Sequence, residues 1–151
     1  MHGGLNVFEN EESITVCFVE PGRNISSGNA IASKYTGAVV IEDVNPEKIW
    51  YFNRIKTENA YRGRGIANQV LRCLLEAISR RGIILLCHIN PYGPLDMEHL
   101  RRWYISHGFK TKRLRTDTEL QLSGAPSWNT WLVYDGRIEN PYRKSKIEKI
   151  L

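Results

Sequence analysis

The sequence predicts a mixed α/β fold, a sheet of parallel and antiparallel strands with helices packed on it. Three stretches carry this reading. Lys48 to Arg81 reads as a strand, a glycine-interrupted basic loop and a long amphipathic helix. Ile83 to Asn90 (IILLCHIN) is a near-continuous apolar run, as a buried parallel strand should be. Phe109 to Arg115 and Trp128 to Tyr134 are two more β-rich runs, separated by a loop with Gly124 and Pro126, and are expected to pair.

From the N-terminus, Leu5 to Phe8 is a short strand candidate and Ser13 to Glu20 alternates as a strand should. Pro21 to Lys34 is polar and glycine-containing and reads as a loop. Tyr35 to Val44 reads as a second strand. Asn45-Pro46-Glu47-Lys48 then makes the turn of an antiparallel hairpin into the strand Ile49 to Thr57. The first helix runs from Ile66 to just before Gly82. Ala67, Val70, Leu71, Leu74 and Ile78 form its apolar stripe, widened by Cys73, Leu75 and Ala77. Arg80 and Arg81 complement the dipole in its last turn, and Gly82 suits the position past its end. A second helix starts near Asp96, a good N-cap, buries Met97, Leu100, Trp103, Tyr104 and His107, and closes at Gly108.

At 151 residues, 1–151 is read as a single domain with a basic tail, 136–151. Hydrophobic residues make up 42% and charged residues 25%, which is ordinary for a soluble globular chain. No apolar run approaches the roughly 20 residues of a membrane span. MHGGLNVFENEES lacks a signal-peptide core, and Cys17, Cys73 and Cys87 show no metal or disulfide spacing. A cytoplasmic protein with reduced thiols is expected.

The net charge of +5 is unevenly spread. Residues 1–47 hold seven acids and two bases, 48–100 eight bases and four acids, and 101–115 six bases and no acid. A basic centre suits a polyanionic ligand, and the excess beyond it suits nucleic acid or solubility.

The chemistry of the central unit is anion binding. A helix N-terminus presents unpaired N–H groups and partial positive charge. Gly63 and Gly65 let the backbone turn sharply and approach a ligand, and Arg62 and Arg64 add charge suited to phosphate. Arg62-Gly63-Arg64-Gly65-Ile66-Ala67 fits R-x-x-G-x-A, the pyrophosphate loop of the GCN5-related N-acetyltransferases (GNAT). Trp103-Tyr104-Ile105-Ser106-His107-Gly108-Phe109 resembles the "LYEKLGF" block that ends the following helix in that family. The resemblance spans about residues 35–135.

What the resemblance implies is a GNAT acyl-CoA N-acyltransferase fold and acetyl transfer from acetyl-coenzyme A to a primary amine of a small molecule or protein. The backbone of Arg62, Gly63, Arg64, Gly65, Ile66 and Ala67 would bind pyrophosphate, with Asn68 adding a side-chain contact. Backbone groups near Ile55 and Thr57 would bind pantetheine, and an N–H near Ile55 would face the oxyanion. Tyr104 matches the family's general acid. The family's strand glutamate has no counterpart, since Trp50 to Thr57 contains no acid. Glu58, Glu42, Asp43 and His88 are base candidates without a firm assignment, and a single histidine on an apolar strand reads first as a core residue. The family's two helices between its first strands cannot fit into Pro21–Lys34, so a reduced N-terminal helical region is expected. A nucleic-acid-binding or nucleic-acid-modifying protein and an inactive interaction module are the alternatives. Monomer and homodimer are equally compatible with the sequence.

Overall fold

The computed structural model describes residues 4–20, 22, 27–37, 39–57, 65–88, 97–116 and 127–138. They form one mixed sheet with two helices. The strands are β1 (Gly4–Glu9), β2 (Ser13–Val19), β3 (Gly28–Lys34), β4 (Val39–Val40), β5 (Ile49–Thr57), β6 (Ile84–Cys87), β7 (Lys110–Thr116) and β8 (Ser127–Asp135). Helix α1 is Ile66–Arg80 and α2 is Met97–Ser106. The order across the sheet is β1-β2-β3-β5-β6-β8-β7-β4. Only β5 and β6 run parallel; α1 lies between them in the chain.

The elements that face a core on one side follow their hydrophobic periods. In α1, Ile66, Val70, Leu71, Leu74, Leu75, Ala77 and Ile78 are buried. They meet Ile14, Val16, Ala30, Ala32, Trp50, Phe52 and Leu85 from one face of the sheet. The last turn keeps its expected chemistry, with Arg80 exposed and Gly82 at φ 63°. The other face carries a smaller cluster built on Val39, Ile49, Ile84, Leu86, Leu114, Trp131 and Val133, with Tyr35, Ile41, Val44 and Tyr51 packed against it. In β6, Leu85 and Cys87 belong to the first cluster and Ile84 and Leu86 to the second. The strand is therefore apolar on both sides because both sides are covered.

Two N-terminal expectations are corrected. Residues 28–34, read as loop, form β3, which pairs antiparallel with both β2 and β5. Residues 35–44, read as a strand, supply only the two-residue β4, which pairs with β7. The hairpin into β5 is accordingly absent. Asn45 instead caps a single 3₁₀ turn, Pro46–Lys48, accepting from the Glu47 N–H at 3.0 Å. The physical reason lies in packing. Ala30 and Ala32 are fully buried beneath α1, where small side chains let the helix sit close to the sheet. Tyr35–Val44, despite its β-branched residues, folds as a cover for the second face and includes Asp43 at φ 61°. No helix occurs among the described residues between β2 and β5 other than the 3₁₀ turn, in line with the expected reduction.

The C-terminal pairing of β7 with β8 is as expected, from Lys110 opposite Val133 to Thr116 opposite Ser127. In α2 only Tyr104 is buried, and Met97 stands 54% exposed. Asp96, Asn90, Glu58 and the tail beyond residue 138 lie outside the described residues.

Candidate active site

The parallel pairing of β5 with β6 is short. It runs from Ile49 opposite Ile84 to Tyr51 opposite Leu86 and then stops, while β5 continues to Thr57 on β3. β6 itself ends at Cys87, and beyond Tyr51 that edge of β5 has no strand partner among the described residues. The same place carries a bulge. Ala32 pairs with Phe52 and Ile31 with Arg54, so Asn53 is the extra residue. One inserted residue reverses which side chains face the helices. Trp50 and Phe52 face them before the bulge and Ile55 after it. Asn53 Nδ2 donates to Ser33 Oγ at 2.6 Å and fixes the distortion to β3. The unpaired edge of β5 leaves a gap at the carboxyl ends of two parallel strands, where ligands of open α/β sheets collect.

Helix α1 starts at this end of the sheet. Gly65 is its N-cap at φ 75°, ψ 11°, in the left-handed region open to glycine at little cost. It has no side chain to cap the first turn, the first turn holds no acid, and space around the position of an added Cβ is clear to 4 Å. The N–H groups of that turn are thus suited to an outside anion. Ile66 is buried and Ala67 half-buried, so both hold the turn against the core. Asn68 is exposed, but its Oδ1 accepts from Trp103 Nε1 at 2.6 Å and lies 3.1 Å from His107 Nε2. Burial, with Arg72 nearby, lowers the His107 pKa and favours the neutral ring as that second donor. Asn68 therefore ties the start of α1 to α2, and its Nδ2 is the end suited to an anion. Ile55 is half-buried opposite Ala30, and Thr57 ends β5 opposite Gly28. Arg62, Gly63 and Arg64 lie outside the described residues.

Tyr104 reaches the gap from α2. It is 6% exposed, and its ring packs edge-on against Phe52 of β5 and Phe109. The Cys87 thiol at the end of β6 lies beside its hydroxyl. Cys87 Sγ in turn donates to the His88 carbonyl at 3.4 Å. Burial pushes the Cys87 thiol up to about 12, and burial with Cys87 alongside raises the Tyr104 phenol as well. Both stay protonated at neutral pH. Tyr104 and Cys87 form a dry wall on the helix side of the gap.

The opposite side is aromatic and open. His88 follows β6 and is exposed rather than in the core, which corrects the sequence reading of it. Its ring stacks on Trp131 of β8, centroids 3.8 Å apart and planes 14° apart. Nδ1 lies 3.5 Å from Tyr51 Oη across the gap, and Tyr51 and Trp131 also meet Tyr35. An open cleft of about 360 Å³ runs past the end of β6 on both faces, lined by Cys87, Leu132, Met97 and Arg101 toward the helices and by His88 and Trp131 on the other side. Tyr51, Asn53, Cys87 and Trp131 were not singled out from the sequence. The strict alternation of Leu86, Cys87 and His88 was the available signal, but the continuous apolar run hid it.

The basic segment expected to suit nucleic acid is partly neutralised. Arg101 and Arg102 both lean on Glu98, at 3.8 and 3.3 Å. No helix among the described residues is long and apolar enough to cross a membrane.

With this geometry in view, the chain was compared with known proteins. No family model and no curated protein matches it by sequence. Solved structures do match. The ribosomal-protein-S18-alanine N-acetyltransferase of Escherichia coli superposes with a TM-score of 0.56 at 14% identity, over 89% of this chain and 76% of that one. A putative GNAT-family acetyltransferase from Desulfovibrio desulfuricans gives 0.51 at 14%, over 83% and 70%. A chain of the NatC complex, bound to Gag peptide and CoA, gives 0.53 at 16%, over 80% and 70%. The protein has the GNAT fold. In terms of that fold, β5 and β6 are the central parallel pair and β7–β8 is the C-terminal hairpin.

Proposed function

We propose that this protein is an acetyl-coenzyme A-dependent N-acetyltransferase that acts by direct attack of a primary amine, on a small molecule or a protein. The end of the β5–β6 pairing at Tyr51 opposite Leu86 carries the reading, because it leaves a strand-wide slot at the start of α1. The residues present fit the cofactor. The acid-free first turn with Gly65 at its head suits pyrophosphate, with Arg62, Gly63 and Arg64 completing the loop. Backbone groups of β5 near Ile55 and Thr57 would pair with an amide-bearing pantetheine as another strand would, since that edge of β5 has no strand partner among the described residues. Bound there, acetyl-coenzyme A supplies an activated thioester carbonyl.

A backbone N–H near Ile55 offers a donor to the oxygen that gains charge during attack. Tyr104 offers its hydroxyl proton to the departing sulfur. Reference phenol and thiol pKa values of ~10 and ~8.5 differ by about 1.5 units, or about 2 kcal/mol. Burial raises the Tyr104 phenol, which keeps it protonated until the sulfur departs and widens that mismatch. The complexes of the NatC structure with peptide and CoA support the cofactor and an amine of a peptide as one acceptor class.

Calorimetric titration with acetyl-coenzyme A tests the cofactor site. Micromolar binding to the wild type is expected, followed by amine-dependent release of free thiol. A wild type that binds no acetyl-coenzyme A overturns the reading.

A further inference from the structure

The acetyltransferase reading leaves one role open. An alkylamine is an ammonium ion at neutral pH and cannot attack until it loses a proton. Strand β5 offers no carboxylate, since Ile49–Thr57 reads IWYFNRIKT. The groups that flank the gap on the side away from Tyr104 are therefore decisive.

Leu86, Cys87 and His88 are consecutive, and successive residues of a strand point to opposite faces. Cys87 turns to the helix side and meets Tyr104. Leu86 belongs to the cluster on the other face, and His88 meets Tyr51 and Trp131 there. The gap thus has a proton donor on one wall, Tyr104 of α2 beside Cys87, and on the other an imidazole, carried by the residue that follows Cys87. The imidazole is held in place. Stacking on Trp131, itself 4% exposed, fixes the ring plane. Tyr51 Oη approaches Nδ1 and fixes the rotation.

We propose that His88 is the base that takes a proton from the acceptor ammonium, with Tyr51 and Trp131 as the residues that position its ring. The assignment rests on the acetyltransferase reading and names a catalytic residue for it. In the tautomer with the proton on Nδ1, that N–H donates to Tyr51 Oη and Nε2 keeps its lone pair. His88 Nε2 accepts one proton from R–NH₃⁺, which frees the nitrogen lone pair. The C–N bond forms at the thioester carbonyl, and the C–S bond breaks with its electron pair leaving on sulfur. Tyr104 gives its proton to that sulfur and regains one from the nitrogen that has become an amide. His88 returns its proton to solvent through the open cleft. The balance is one amide, one free thiol and one proton.

The surroundings agree. Burial lowers the His88 pKa from its ordinary value, so the ring is neutral and able to accept at neutral pH. Tyr51 stays a phenol, since burial, Cys87 and Tyr35 raise it. The charged groups on neighbouring elements are Arg101 with its partner Glu98 on α2 and Lys112, opposite Trp131 on β7. Glu42 and Asp43 are exposed on the segment that covers the same face.

The test compares wild type with His88→Gln and His88→Ala, two changes at an exposed position, with retained acetyl-coenzyme A binding as the check on the fold. For an alkylamine acceptor, kcat/KM of the wild type should fall as pH drops through a limb below the ordinary imidazole value of ~6.5. Both variants should lose that limb and about a hundredfold of kcat/KM at neutral pH. An arylamine, already neutral near pH 7, needs no base, so the deficit with it should shrink to a few-fold. Variants that keep the limb, or lose equally with both amines, overturn the role of His88 alone. A wild type that releases no thiol with any amine overturns the acetyltransferase reading and this role together.

Discussion

The two walls of the β5–β6 gap differ in almost every physical respect. The helix-side wall is dry. Tyr104 and Cys87 are 6% and 2% exposed and lie side by side. The far wall is wet at its rim, with His88 exposed beside an open cleft and its ring held by stacking. A leaving thiolate is best met by a donor that is still protonated when the sulfur departs, which burial favours. An arriving ammonium needs a base in reach of water, so that the proton can leave. One strand end supplies both, because its alternation sends neighbouring side chains to opposite sides. The difference teaches that the sheet here acts as a partition between two proton environments.

The largest expected effect probes the dry wall. With Cys87 pushed up to about 12, its thiolate at pH 8 should be about three orders of magnitude scarcer than that of an ordinary cysteine of pKa ~8.5. Cys17 is half-buried with its thiol in the free form. Timed alkylation with mass-spectrometric mapping should label Cys17 well before Cys87. Equal rates would mean that water reaches Tyr104 and that the walls are alike.

The next effect concerns the ligand that would lie between the walls. Gly65→Glu puts negative charge at an acid-free helix start and should weaken acetyl-coenzyme A at least about a hundredfold by calorimetry. Gly65→Ala separates charge from strain. Its Cβ meets nothing within 4 Å, so the cost is that of φ 75°, about 1–2 kcal/mol of stability. Glu and Ala variants with equal affinity would place the anion elsewhere.

How far these walls were legible in the sequence depends on the kind of signal. Helix α1, the glycine at its head and the β7–β8 pair were plain, since each is set by local period or backbone need. Tyr104 was found by its place in a motif, and its burial beside Cys87 was not. Strand β3 was missed because Ala30 and Ala32 are small for a reason that only the helix above them supplies. Residues 35–44 looked like a strand because Val39, Val40 and Ile41 are β-branched, yet Val39 and Ile41 serve as a lid over the second face while Val40 is exposed. The bulge at Asn53 left no local trace, although it decides which side chains of β5 face the helices. His88 looked like a core residue since Ile83–Cys87 before it is apolar on both faces. The strand ends at Cys87, three residues before Asn90, where the run was expected to end.

The smallest effects come from a pair of hydroxyls on the same side of the sheet. Tyr104 and Tyr134 are both buried phenols, and their rings pack on either side of Phe109. Tyr134 Oη meets Ser79 Oγ of α1 at 2.9 Å, away from the gap. Tyr104 Oη meets a sulfur at its edge. Tyr104→Phe should lower turnover about ten- to hundredfold in the thiol-release assay, with acetyl-coenzyme A affinity nearly unchanged. Tyr134→Phe leaves Ser79 without that partner and should cost about 1–2 kcal/mol in urea denaturation, with turnover unchanged. The two losses should fall on different measurements, because burial alone makes a phenol structural, and only a phenol that borders the gap can reach a departing atom. Turnover lost equally in both variants would show that Tyr104 acts by packing, and the dry wall would then shape the gap without donating a proton to it.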